Sequence, residues 1–133
     1  MEEAPIAAWV AAFEHLFEIS GADGDREQPP IAYCIEIGTR AVATEVLAAL
    51  NERIPHRAPQ PCEFAGDYAK TPDGRPAWRF WISSIHRSPR FDDGWAVELN
   101  YMAGPLHGAG WRCNVKESAG HWRVTDCDRT FTS

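Results

Sequence analysis

In the last third of the chain the apolar residues recur at every second position, and this repeat restricts the fold more than any other feature. "AWRFWISSIH" (77–86) sets Trp78, Phe80 and Ile82 against Arg79, Trp81 and Ser83. "WAVELNYM" (95–102) sets Trp95, Val97, Leu99 and Tyr101 against Ala96, Glu98, Asn100 and Met102. In "GWRCNVKESAGHWRVTDCD" (110–128), Trp111, Cys113 and Val115 are followed by Trp122 and Val124 at the same spacing. Successive side chains of a strand point to opposite faces, so a period of two predicts strands with one face on a core and the other in water. The charged, Gly-containing stretch between the last two runs predicts a hairpin. With its turn at Glu117 to Gly120, Val115 faces Trp122 and Cys113 faces Val124.

The first half of the chain follows a different period. "PIAAWVAAFEHLFEIS" carries Ile6, Trp9, Val10, Phe13, Leu16 and Phe17 at helical spacing, with Pro5 in the first turn and Gly21 as the stop. A polar loop, "GADGDREQPP", follows and is the best candidate for mobility. "IAYCIEIG" alternates like a strand, and "TRAVATEVLAALNERIP" returns to helical period through Val42, Val46, Leu47, Leu50 and Ile54. Thr39 or Thr44 is its candidate cap and Pro55 its stop. The stretch from His56 to Pro76 is rich in Pro and Gly and predicts a loop with one short strand around Cys62 to Phe64 and a tight turn at "TPDG". The order predicts a single α+β domain over residues 1–133. In it an N-terminal helix, a strand and a second helix pack on a curved antiparallel sheet of about four to five strands.

The closing strands are similar to the ending of small bacterial domains of the nuclear transport factor 2-like and cystatin-like class. There a strand ending in aromatic-x-x-Val leads through a charged Gly turn into Gly-x-Trp-x-Val, as in "GWRCNVKESAGHWRVTDCD". The resemblance implies a curved sheet wrapped around a helix. It implies fold far more than activity. Enzymes of the class, such as polyketide cyclases and ketosteroid isomerases, hold a carboxylate or a His–Asp pair inside the cone. On the inward faces the only acid is Asp126, opposite Trp111, and its place near a strand end favours solvent over catalysis. His86 falls on the face of Trp78, Phe80 and Ile82, also at a strand end, and reads as an edge residue rather than a base.

Other chemistries find little support. The five histidines (15, 56, 86, 107 and 121) show no HxxxH or HxH spacing, so neither a metal site nor a cofactor is expected. The four cysteines, Cys34, Cys62, Cys113 and Cys127, form no CxxC pair. A Cys–His nucleophile pair stays open, although Cys34 and Cys113 lie in strand patterns where an inert buried thiol is the rule. "GPLHGAG" precedes no helix and reads as a flexible hairpin loop rather than a phosphate cradle. The opening "MEEAPIAAWVAAFEH" has no basic n-region, and no apolar run is long enough to cross a membrane. A cytoplasmic location is expected, with all four cysteines as thiols. In the register above Cys113 faces inward and Cys127 outward, so those two are not expected to be bridged.

Charge supplies the one functional asymmetry. The net charge is −6, and residues 1–30 account for all of it, with seven acids against Arg26 alone. The remainder sums to zero. No basic stripe with interleaved aromatics points to nucleic acid. The expectation is therefore a non-enzymatic binding protein that docks a basic protein partner, as immunity and inhibitor proteins do. Glu14, Glu18, Asp23, Asp25 and Glu27 would steer the partner, and Trp81 beside Arg79 would anchor it, since Trp and Arg are enriched in binding hot spots. The same acids also read as a solubilising face. The alternatives are a pocket enzyme or small-molecule binder that uses the sheet interior with Asp126 as its acid or base, and a structural subunit that dimerises through its sheet.

Overall fold

A computed structural model describes residues 4–20, 32–37, 40–54, 60–65, 68–74, 77–87, 94–104 and 107–132. The elements run α1 (Ile6–Ile19), β1 (Ala32–Glu36), α2 (Arg40–Arg53), β2 (Gln60–Pro61), β3 (Glu63–Ala65), β4 (Tyr68–Lys70), β5 (Ala77–Arg87), β6 (Gly94–Gly104), β7 (His107–Ser118) and β8 (His121–Thr132). The Gly21 stop, the polar loop over 21–30, the Thr39 cap and the Pro55 stop lie outside the described residues. Strands β2, β1, β5, β6, β7 and β8 form one sheet in that order, and β3 and β4 pair as a separate hairpin.

This corrects the expected fold. The sheet is six-stranded and mixed rather than a curved antiparallel sheet of four to five strands. β1 runs parallel to both of its neighbours, β2 and β5. The reason is the connection: a strand that leaves through a helix before returning to the sheet re-enters in the same direction. α2 is that crossover. β2 is only Gln60–Pro61, too short to leave an alternating pattern in the sequence.

The four long strands meet as antiparallel neighbours, and their faces follow the period of two. Phe80, Ile82, Val97, Leu99, Tyr101, Trp111, Cys113 and Val115 are all buried. α1 lies on this face, with Phe13, Leu16 and Phe17 at most 1% exposed. Phe17, Tyr33 and Phe80 meet at centroid separations of 4.8–4.9 Å, close enough for the tilted and edge-on contacts that aromatic rings prefer. The β7–β8 turn is Ala119–Gly120, both at positive φ, as a two-residue hairpin turn requires. Ser118 therefore pairs with His121 and Val115 with Val124, a register displaced from the expected one by two residues, which preserves the faces. "GPLHGAG" is largely strand rather than loop: Gly104 pairs with His107, and Gly108 and Gly110 sit inside β7.

Two irregularities do change the faces. The β5–β6 register shifts between Ile82 and Ile85, which turns Ile85 toward Val97 and places His86 opposite Ala96, exposed. In β8 an extra residue enters between the Asn114–Thr125 and Arg112–Asp128 pairs. Asp126 sits there at φ 55°, the left-handed region that Asp tolerates better than most residues. One added residue inverts the side chains that follow it, here as far as Arg129, where a second shift lies between the Trp111–Arg129 and Gly110–Phe131 pairs. Cys127, expected on the outward face, thus comes opposite Cys113 and is bridged to it. Cys34 is likewise bridged to Cys62. The expectation of four thiols is overturned on both counts.

Candidate functional site

β1 and β5 lie side by side in parallel register, with Cys34 beside Arg79 and Glu36 beside Trp81. That register puts a carboxylate, a guanidinium and an indole on the sheet face opposite α1. The Arg79 guanidinium donates from Nε to Glu36 Oε1 at 3.0 Å and from an Nη to Oε2 at 2.9 Å, a bidentate pair. Its centre lies 3.9 Å from the centroid of the Trp81 ring. Such stacking is worth about 0.5–1 kcal/mol at exposed sites and more when desolvated. Both charged side chains are about a third exposed, so the cluster is accessible to a partner. Fixed by the carboxylate, the guanidinium in turn fixes the indole.

Beside this cluster a cavity of about 620 Å³ opens at the carboxyl end of β1. Ile35, Ile37, Leu47 and Ile82 give it apolar walls, and Glu36, Thr44, Cys62 and Trp81 complete it. The parallel strands β1 and β2 end at this point beside the middle of β5, and the first turns of α2 border it, the place where open sheets with parallel strands expose a crevice. The Cys34–Cys62 bridge ties the far wall to β1. The parallel pairing that the sequence did not reveal is therefore what builds the cavity.

The structure brings Arg79 and Trp81 together and places the described acids elsewhere. Glu14 and Glu18 lie on the last turns of α1 and, with Phe17, Arg53 and Ile54, line a second cavity of about 460 Å³. Glu14 accepts from Arg53 at 2.7 Å. Arg53 is the last residue of α2 and Thr44 belongs to its second turn, so the two cavities are separated by roughly 14 Å of helix at 1.5 Å per residue. Asp23, Asp25 and Glu27 lie outside the described residues. Asp126, the one acid expected on the inward face, is exposed on its bulge and accepts from Thr125 Oγ1 at 3.1 Å. Trp111 pairs with Arg129 instead.

Glu36, Thr44, Cys62 and Arg53 are the participants that sequence reading missed. Glu36 carries a weak signal: it is the outward charge of an otherwise apolar strand and opposite in sign to Arg79. Only the parallel register pairs the two. Another missed contact joins α1 to β8, where His15 Nε2 approaches Cys127 Sγ to 3.8 Å. Burial lowers the His15 pKa from its ordinary 6.5, and the nearby Glu18 charge partly opposes the shift. Among the described residues no helix is long and apolar enough to cross a membrane. Comparison with protein-family models, curated proteins and solved structures finds no match to this chain.

Proposed function

We propose that this chain is a non-enzymatic binding protein that docks a basic protein partner in the manner of immunity and inhibitor proteins, with Trp81 as its anchor. The observation that carries the reading is the Glu36–Arg79–Trp81 stack, an indole held in place beside an apolar cavity. An anchor fixed before encounter loses little side-chain freedom on binding, which favours affinity. The acids of residues 1–30 act as the source of an anionic field, the described Glu14 and Glu18 from a distance. Steering does not require them to touch the anchor.

The filled core weighs against the small-molecule alternative. Phe13, Phe17, Tyr33 and Phe80 occupy the space between α1 and the sheet, and Asp126 stands outside it. Dimerisation through the sheet remains the third reading. Free thiols were expected as a consequence of a cytoplasmic location, and the two bridges run against that location. We favour a compartment in which disulfides persist.

The reading is tested by capture on the immobilised protein at low and at physiological salt, beside a charge-neutral version of Glu14, Glu18, Asp23, Asp25 and Glu27. A basic protein retained more strongly at low salt, and more weakly by the neutralised version, is the expected result. Equal retention by both versions would reduce the acids to a solubilising face. A small molecule that raises the melting temperature, with no protein captured, would favour the pocket alternative.

A further inference from the structure

The two disulfides differ in their surroundings. Cys34 is completely buried and Cys62 half-buried, so that bridge is shielded on the β1 side. In the other bridge Cys113 is 3% exposed, whereas Cys127 lies exposed on β8. A thiol can therefore reach the second bridge from the Cys127 side. His15 already stands at that sulfur, its Nε2 3.8 Å from Cys127 Sγ. Nothing in the proposed docking role uses this contact.

We propose that Cys113–Cys127 is a thiol–disulfide exchange site, opened by a dithiol reductant that attacks Cys127 with His15 as proton acceptor. The imidazole is suited to the task because burial keeps it neutral near neutral pH, leaving a ring nitrogen free to accept. The first thiol of the reductant passes its proton to His15 as its sulfur bonds to Cys127 Sγ. The Cys113–Cys127 bond breaks and Cys113 Sγ leaves with the electron pair. The second thiol gives its proton to the Cys113 thiolate and attacks the reductant sulfur of the mixed disulfide. A cyclic disulfide closes on the reductant, and Cys127 departs as a thiolate that recovers the proton held by His15. Two electrons and two protons pass from the dithiol to the protein. Opening the bridge removes the covalent tie at the Asp126 bulge, so that beyond the Ala119–Gly120 turn β8 is held to β7 by non-covalent contacts alone.

The experiment treats the native protein with limiting dithiothreitol near neutral pH, quenches by alkylation at intervals and maps the labelled cysteines by peptide mass spectrometry. Cys113 and Cys127 should be labelled before Cys34 and Cys62. His15→Gln should slow the opening of the Cys113–Cys127 bridge at least about tenfold, since a positioned proton acceptor contributes about that factor or more. The Cys34–Cys62 rate should not change. Opening of Cys34–Cys62 first, or of both bridges together, would overturn the assignment of the site. A folded His15→Gln protein that opens as fast as the native one would remove the histidine from the step. Order of opening is read on the native protein, so it decides the site even if His15→Gln fails to fold, and His15→Asn then tests the histidine.

Discussion

At the scale of single residues, the core and His15 make separate demands. Phe80 is fully buried between Phe17, Tyr33 and Tyr101. Phe80→Ala removes a ring from a packed site and should destabilise the protein by about 3–5 kcal/mol, measured by denaturant unfolding. Trp122 is only half-buried and opposes Glu117, so Trp122→Ala should be the milder change of the two. His15 sets a pH dependence. Its folded-state pKa is lowered from 6.5, so the unfolded chain binds the proton first. Stability should then fall as pH drops below 6.5, and the loss should be complete once pH passes below the lowered folded value. Above 6.5 the histidine adds no slope. Unfolding curves of the native and His15→Gln proteins should converge in their pH dependence above that point and separate below it. Parallel curves throughout would show that His15 is not held neutral by burial.

At the scale of elements, the period of two revealed the strands but not their irregularities. The faces of β6 and β7 were legible because the extra residues lie in β5 and β8, while the pairing of β6 with β7 is continuous from Trp95–Val115 to Tyr101–Ala109. Trp81 and Arg79 were legible for the same reason, as they precede the shift after Ile82. His86 and Cys127 follow a register change and were placed on the wrong faces. An inserted residue leaves the local composition unaltered, so the alternating pattern contains no mark of it. β1 was recognisable as a strand, yet its parallel pairing depends on contacts far along the chain, and Glu36 and the cavity were hidden with it. The bulge itself can be tested at Asp126. A β-branched residue is poorly accommodated at φ 55°, so Asp126→Val should lower stability by about 1–2 kcal/mol while Asp126→Gly should not. Equal stability of the Val and Gly variants would mean that residue 126 is not left-handed.

For the whole molecule, the two bridges fasten opposite ends of the sheet: Cys34–Cys62 at the β1–β2 side and Cys113–Cys127 at the β7–β8 side. By loop-closure entropy the 28-residue separation of the first is worth about 3–4 kcal/mol. Cys34→Ala with Cys62→Ala should therefore lower the denaturant midpoint and loosen the wall of the larger cavity. An unchanged midpoint would show that this bridge does not hold the folded state. Between the bridges, the α1 face of the sheet is packed with aromatic side chains, and the opposite face presents Glu36, Arg79 and Trp81. The charge imbalance was read directly from sequence, but its relation to the anchor was not, because α2 separates the described acids from Trp81 by most of its length. In the proposed docking, steering by the described acids Glu14 and Glu18 and anchoring by Trp81 fall to different parts of the molecule, and they can be separated kinetically. The most direct test is the association and dissociation rate of the captured partner with three versions of the protein: native, Trp81→Ala, and the neutralised set of five acids. Loss of the anchor should raise the off-rate at least about tenfold with little change in the on-rate, whereas loss of the acids should lower the on-rate and its salt dependence. An off-rate unaffected by Trp81→Ala in a folded protein would contradict the account, because the partner would then be held somewhere other than the Glu36–Arg79–Trp81 stack.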